Sequence, residues 1–336
     1  MAESVLIFGD SGLGKTINLG FAAKYLYEQT GGRTGRYIDA GGNPKPIEPL
    51  AELGVIEVLS VMGAKFPCTM LRKLSVGFWP TPDGHKKLRD GVPLRVEDWL
   101  APSPEVWKRV GFYLNDPMGG MADILLEDLR EHGRIIGEGV VGEWKETSKE
   151  TGMPGDEKFC NNSRAHYGWV QRETTSLVRQ FNSLPVDRVI WTSHESKGEE
   201  EDTKRTVRGP SIVGKAATDS ILKHFGTVIH FEGVARKDNS GAVVLCYFRP
   251  HPDQIGAIYK CKPRTPAELD GELTKRWPKG FFVPQTTADD PNRGTLADYM
   301  RLEDELVGRA TGLDRDWKAQ VDKRVATLRA LAGEKK

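Results

Sequence analysis

The residues Gly9, Asp10, Ser11, Gly12, Leu13, Gly14, Lys15 and Thr16 follow the pattern G-x-x-x-x-G-K-[ST]. Glycines at this spacing let the backbone wrap around phosphate oxygens and turn its N–H groups inward. A lysine placed like Lys15 reaches the β- and γ-phosphates of a nucleotide, and a hydroxyl placed like that of Thr16 ligates Mg²⁺. ATP and Mg²⁺ are therefore the expected cofactors. The alternative is an ordinary glycine turn, but the flanking sequence suits the phosphate loop. "VLIF" before it reads as a buried strand, and "TINLGFAAKYLYEQT" after it carries Leu19, Ala22, Ala23 and Leu26 at helical spacing. Such a helix adds the positive end of its dipole to the loop.

A phosphate loop needs an acidic partner for its metal at the end of a neighbouring strand. Two segments offer one. "RVGFYLND" runs almost wholly apolar to Asp116, and "GRYIDA" reaches Asp39 after a shorter run. Asp116 is preferred as the metal-shell carboxylate because its strand is longer. A strand-end aspartate that caps the next turn is the competing role for both.

These residues must be carried by a sizeable core, and a chain of 336 residues can bury one. Lys and Arg number 48 against 47 Asp and Glu, which excludes a globally basic nucleic-acid binder but not a local basic strip. Four scattered cysteines show no close metal-ligand pairing and read as reduced thiols. No apolar stretch approaches a membrane span and no basic leader opens the chain, so a soluble cytoplasmic protein is expected. Strands alternate with helices as far as "DRVIWTSH". "GTVIHFEGVAR" and "GAVVLCYFRP" then read as a hairpin, "IGAIYKCKPR" as a further strand, and residues from Leu296 onward as a charged helical tail. The pattern predicts an α/β fold with a mainly parallel sheet and a β-rich C-terminal end. Residues 75–108 and 137–165 are expected to be surface excursions, and "KGEEEDTKRTVRG" a charged loop.

The blocks "GDSGLGKT", "YIDAGG", "FYLND", "HYGWVQ", "VIWTSHES", "GPSIVGKAATDSILKHFGTVIHF" and "YKCKPR" resemble, in order, those of RecA-like phage nucleotide-binding proteins, P-loop ATPases associated with phage recombination. The similarity covers most of residues 1–265. It implies a RecA-like ATPase core over 1–285 followed by a tail over 286–336. It implies an ATPase that oligomerises on single-stranded DNA in recombination, repair or replication, alongside phage recombination or single-strand-binding proteins. Asp116 then matches the metal aspartate. His194 matches a polar sensor of the γ-phosphate, with strand capping as its alternative. Lys204, Arg205 and Arg208 fall in the place of a DNA-contacting loop, although the neighbouring "EEED" run favours a merely solvated loop. Lys260 and Lys262 share one side of a strand, with Arg264 continuing the alternation. In the family such lysines reach a neighbouring subunit's phosphates; protective edge-strand lysines are the alternative.

One departure matters. RecA-like ATPases usually place a catalytic glutamate two residues beyond an aspartate like Asp39, and here that position is Gly41. A carboxylate there activates the attacking water. Its loss leaves Glu48 or Glu195 as substitutes, and leaves open a nucleotide-gated assembly or loader protein that hydrolyses little. A small-molecule kinase is a third possibility, because it too would use "GDSGLGKT".

Overall fold

The strand that feeds the loop shows how the core is divided. Along β1 (Glu3–Gly9) side chains alternate between faces with period two. Val5 and Ile7 enter one apolar cluster while Leu6 and Phe8 enter another. In the computed structural model the described residues are 2–62, 64–132, 164–199, 206–212, 221–235, 242–249, 257–259, 261, 263–264, 270–284 and 294–310. Among them no helix is long and apolar enough to cross a membrane.

Both neighbours of β1 run parallel to it: β7 (Arg188–Glu199) on one side and β9 (Thr227–Ala235) on the other. Beyond β7 lie β6 (Val110–Asp116), β2 (Thr34–Asp39) and β3 (Ile56–Ser60), all parallel. Beyond β9 come two antiparallel strands, β10 (Ala242–Tyr247) and β12 (Phe281–Phe282). The order is therefore β12-β10-β9-β1-β7-β6-β2-β3, a mainly parallel sheet with the expected β-rich end. The expected hairpin around "KDNSG" is the β9–β10 pair.

Helices cover both faces, as parallel sheets require. On one face α1 (Lys15–Gln29) lays Leu19, Ala22, Ala23 and Leu26 against the sheet. On the other, α6 (Met118–His132) packs with α7 (Arg164–Asn182). Met121, Leu125, Val178 and Phe181 are buried there.

Three findings differ from the sequence expectation. Residues 75–108 form a folded annex, not a loose excursion. It holds a two-stranded ribbon of β4 (Trp79–Pro80) and β5 (Trp99–Leu100) and the short helices α4 (Pro82–Arg89) and α5 (Pro104–Arg109). Its anchor is Trp79, buried against Tyr113 with the Arg36 guanidinium 4.7 Å from its ring centre. Proline-rich, charged composition concealed that aromatic anchor.

The described residues of the charged loop after "VIWTSH" are strand. β7 continues to Glu199 and pairs antiparallel with β8 (Thr206–Pro210). β8 in turn pairs parallel with β11 (Ala257–Tyr259).

The start of the tail belongs to the core. In α9 (Leu296–Ala310), Leu296, Tyr299, Met300 and Leu306 are buried in the same cluster as β1 and α1. The Leu296 N–H donates to Asn18 Oδ1 at 3.2 Å. The Tyr25 hydroxyl donates to Asp304 at 2.9 Å. α8 (Asp270–Arg276) lies between these segments in sequence and contributes buried Leu273 to the same cluster. Residues 133–163, 285–293 and 311–336 fall outside the described residues.

Candidate functional site

Parallel strands end together, and the site is built where they do. The loop leaves β1 at Gly9, which lies in register with His194 of β7. A Cβ on Gly9 would stand 2.4 Å from the Phe231 carbonyl oxygen, so β9 approaches too closely for any other residue. Gly12 and Gly14 have φ of +79° and +73°, a left-handed conformation that glycine adopts without penalty. A Cβ at either would meet nothing within 4 Å, so these two glycines serve the loop's shape and not its packing. Leu13 lies over Gly233 of β9, with its Cδ2 2.9 Å from where a Cβ there would stand. Asp10, Ser11 and Gly12 form the exposed crest.

Gly14 caps α1 without a side-chain hydrogen bond, and the first turn of that helix holds no acidic residue. Its N-terminal N–H groups and positive dipole end therefore face the loop with no acidic residue in the helix's own first turn to oppose them. Lys15, 7% exposed, donates to the carbonyl oxygens of Gly9 at 2.9 Å and Asp10 at 2.7 Å. Burial draws its ammonium below the ordinary lysine value, while the charges of Asp116, Asp10 and Glu195 work in the opposite direction.

Asp116 is 7% exposed and accepts three hydroxyl hydrogen bonds. Thr16 donates to Oδ2 at 2.7 Å, Tyr37 donates to the same oxygen at 2.9 Å, and Thr192 donates to Oδ1. Burial and the Asp116 charge push the Tyr37 phenol well above its ordinary value, so it remains a donor. The loop hydroxyl and the strand-end carboxylate are thus in direct contact, although 100 residues apart in sequence. Tyr37 and Thr192 belong to this site but escape sequence inspection. The only hint is their place two residues before Asp39 and His194 on strands of period two.

Asp39 has the capping role weighed for it. Its Oδ1 accepts the N–H groups of Gly41 at 3.0 Å and Gly42 at 2.9 Å. A side chain at position 41 is resisted, because its Cβ would lie 2.9 Å from Pro117 Cδ.

His194 is more than a third exposed at the edge of the loop. Desolvation of its inner side, then the Lys15 charge, hold its imidazole below the ordinary value. The neighbouring Glu195 side chain is 2% exposed, with Arg208 Nη1 at 3.3 Å and His230 Nε2 at 3.6 Å. Arg208 also lies 3.9 Å from Glu232. The expectation of Arg208 as a DNA-phosphate contact thus meets a guanidinium already flanked by two carboxylates. His230 is fully buried and stacks on Phe8 with ring centres 4.8 Å apart. Glu48 opens the short helix α2 (Glu48–Glu52) and is exposed.

Lys204, Arg205, Lys260 and Lys262 lie outside the described residues. Arg264 is held at the opposite end of β1 from the loop. It pairs with Glu3 and Asp304, and its backbone N–H donates to Glu303 at 2.7 Å. Its proposed place in a row of phosphate-seeking cations gives way to a structural ion pair beneath the sheet.

The strand order separates the loop strand β1 from the Asp116 strand β6 by one inserted strand, β7, which carries His194 in register with Gly9. Order, loop and strand-end carboxylate together define a RecA-like P-loop fold. Among solved structures the chain is similar to a KaiC-like protein from the hyperthermophilic archaeon Pyrococcus horikoshii OT3, at 12% identity and a TM-score of 0.33, covering 76% of this chain and 82% of that one. It is also similar to the flagellar accessory protein FlaH from Methanocaldococcus jannaschii, at 10% identity and a TM-score of 0.34, covering 77% and 79% respectively. No protein-family profile and no curated protein matches the sequence.

Proposed function

We propose that the chain binds ATP with Mg²⁺ at residues 9–16 and hydrolyses it slowly, as a nucleotide-gated RecA-like ATPase. The observation that carries this is the Thr16–Asp116 contact at 2.7 Å beside Lys15 and the N-terminus of α1. The donor set fits a hard cation, since Mg²⁺ is held by one or two carboxylates together with substrate phosphates. Thr16 and Asp116 would hold it. When bound, the ion supplies positive charge that stabilises the phosphates during transfer. The loop N–H groups orient the phosphates, and Lys15 leaves its loop carbonyls for the phosphate oxygens. His194, in register with Gly9, is the group whose hydrogen bonding changes when the terminal phosphate leaves.

Slow turnover follows from Gly41, where a carboxylate would serve the attacking water and where Pro117 resists any side chain. The same contact favours the second reading, in which ATP holding drives assembly and hydrolysis resets it. The sequence resemblance supports a homo-oligomer on single-stranded DNA in phage recombination, repair or replication. In that assembly Lys260 and Lys262 would cross to a neighbour's phosphates, and Lys204 and Arg205 would meet the DNA.

Calorimetric titration of ATP·Mg²⁺ into wild type and Lys15→Ala tests the site. The substitution should weaken binding by about a hundredfold or more, because it removes charged hydrogen bonds to two phosphates. Equal affinities would refute the assignment. Phosphate release should rise on adding single-stranded DNA; a DNA-independent, near-zero rate would favour the assembly reading.

A further inference from the structure

Asp39 does more than cap a turn. Only its Oδ1 is used for that purpose. Its Oδ2 is buried and accepts no hydrogen bond among the described residues, although the residue is 2% exposed. A buried carboxylate oxygen left without a donor is costly unless something positive meets it.

Its surroundings say what that would be. Asp39 of β2 is the register partner of Asp116 of β6. Period two puts Asp39 on the sheet face of Tyr37, and Asp116 on that of Leu114, which is the face covered by α1. Thr192, two residues beyond Ile190 on β7, shares that face. The two carboxylates are thus lateral neighbours about one strand spacing apart, roughly 4.8 Å, at the end of the sheet where Thr16 stands in the first turn of α1. Among the described residues three hydroxyls donate to Asp116, and Oδ2 of Asp39 is left beside them without a donor.

We propose that Asp39 is the second carboxylate of the cation site, acting with Asp116 to hold the divalent ion that accompanies the nucleotide. The inference rests on the ATP·Mg²⁺ reading above and deepens it. In this chain the residue after the second strand that usually bears a carboxylate is a glycine closed off by Pro117. The aspartate two positions earlier brings its charge to the same end of the sheet. Asp39 then has two duties: one oxygen fixes the turn and the other meets the cation.

Asparagine separates the two duties, because Asn at 39 keeps an oxygen for Gly41 and Gly42 and loses the charge. Mn²⁺, followed by electron paramagnetic resonance, is titrated into the full chain holding a non-hydrolysable ATP analogue. Asp39→Asn should bind Mn²⁺ about ten- to a hundredfold more weakly than wild type. Its affinity for the analogue in EDTA should match wild type. Its metal-free melting temperature should equal or exceed that of wild type, since one of two adjacent like charges is gone. Equal Mn²⁺ affinities for both proteins would overturn the inference and leave Asp39 a turn cap. Should Asp39→Asn fail to fold, Asp39→Ser retains a short acceptor for the turn, and the same comparison decides. Wild type that binds the analogue with no dependence on metal refutes the cation role alone. Wild type that binds no analogue under any condition refutes the nucleotide reading, and the inference with it.

Discussion

His194 sits where two opposing demands meet. Its ring is partly out of water and close to the Lys15 ammonium, and both disfavour a second positive charge. The imidazole is therefore neutral at pH 7, able to donate from one nitrogen and accept at the other. Because its folded value lies below the unfolded one, the group contributes stability that is complete above the ordinary histidine value and is lost as pH falls through the folded value. NMR titration of the ring should show a midpoint below that of a histidine in a peptide. ATP analogue and Mg²⁺ should raise the midpoint, because phosphate charge offsets Lys15. An unmoved midpoint on binding would show that His194 does not sense the phosphates. Asp116 was legible from sequence because it ends a seven-residue strand that is nearly all apolar up to Leu114. Its donors Tyr37 and Thr192 were not. They reach it only because β6 lies between β2 and β7, and spatial strand order is not written in local periodicity.

At the scale of elements, local pattern found the strands and helices that have one face to bury, and misjudged those held by ion pairs. The β7–β8 hairpin is an instance. Its residues look like a solvated loop because charges dominate, yet Arg208 is placed between Glu195 and Glu232 by strand pairing. α9 is another, where a charged sequence conceals a stripe of Leu296, Tyr299, Met300 and Leu306. Its first turn is fastened by Asp298, which accepts the Gly294 N–H at 3.0 Å and pairs with Arg276 at 3.2 Å and Arg301 at 2.6 Å. Burial alone would raise this carboxyl, but the Gly294 N–H and the two guanidiniums prevail and lower it. A folded value below the unfolded one gives stability that is complete above the ordinary aspartate range and lost as pH falls through the folded value. Asp298→Asn should therefore destabilise the protein at pH 7 by about 1–3 kcal/mol. Its stability should fall less steeply than that of wild type between about pH 5 and 3. Parallel pH curves for the two proteins in urea denaturation would show that Asp298 contributes nothing through its charge.

For the whole molecule, the open matter is whether a site is completed by a second copy. If Lys260 and Lys262 reach a neighbour's phosphates, their charge counts most in the transition state. Lys260→Ala or Lys262→Ala should lower turnover while an isolated subunit binds nucleotide normally. Mixing either with Lys15→Ala subunits should restore part of the activity, since each supplies what the other lacks. Single-stranded DNA belongs in every arm, because the proposed ATPase turns over slowly without it. Mixtures that stay inactive beside an active wild type would exclude a shared site. The fold class was legible at this scale because alternating strand and helix patterns admit few arrangements. The boundary expected near residue 285 was not, because α9 returns to pack on α1 over a separation no local signal reports.

That return has a consequence for how the protein is made. Asn18 and Leu296, joined by a hydrogen bond, are 278 residues apart. At about 5–20 residues per second, the phosphate loop and its helix leave the ribosome roughly 14–56 s before the segment that covers them. Through that interval the apolar side of α1 has no α9 to lie against, and the strands flanking β1, which begin at Arg188 and Thr227, are also still to come. The phosphate loop, made long before the segments that surround it, is thus among the last parts to be assembled, and a nascent chain halted before residue 296 should not yet retain ATP.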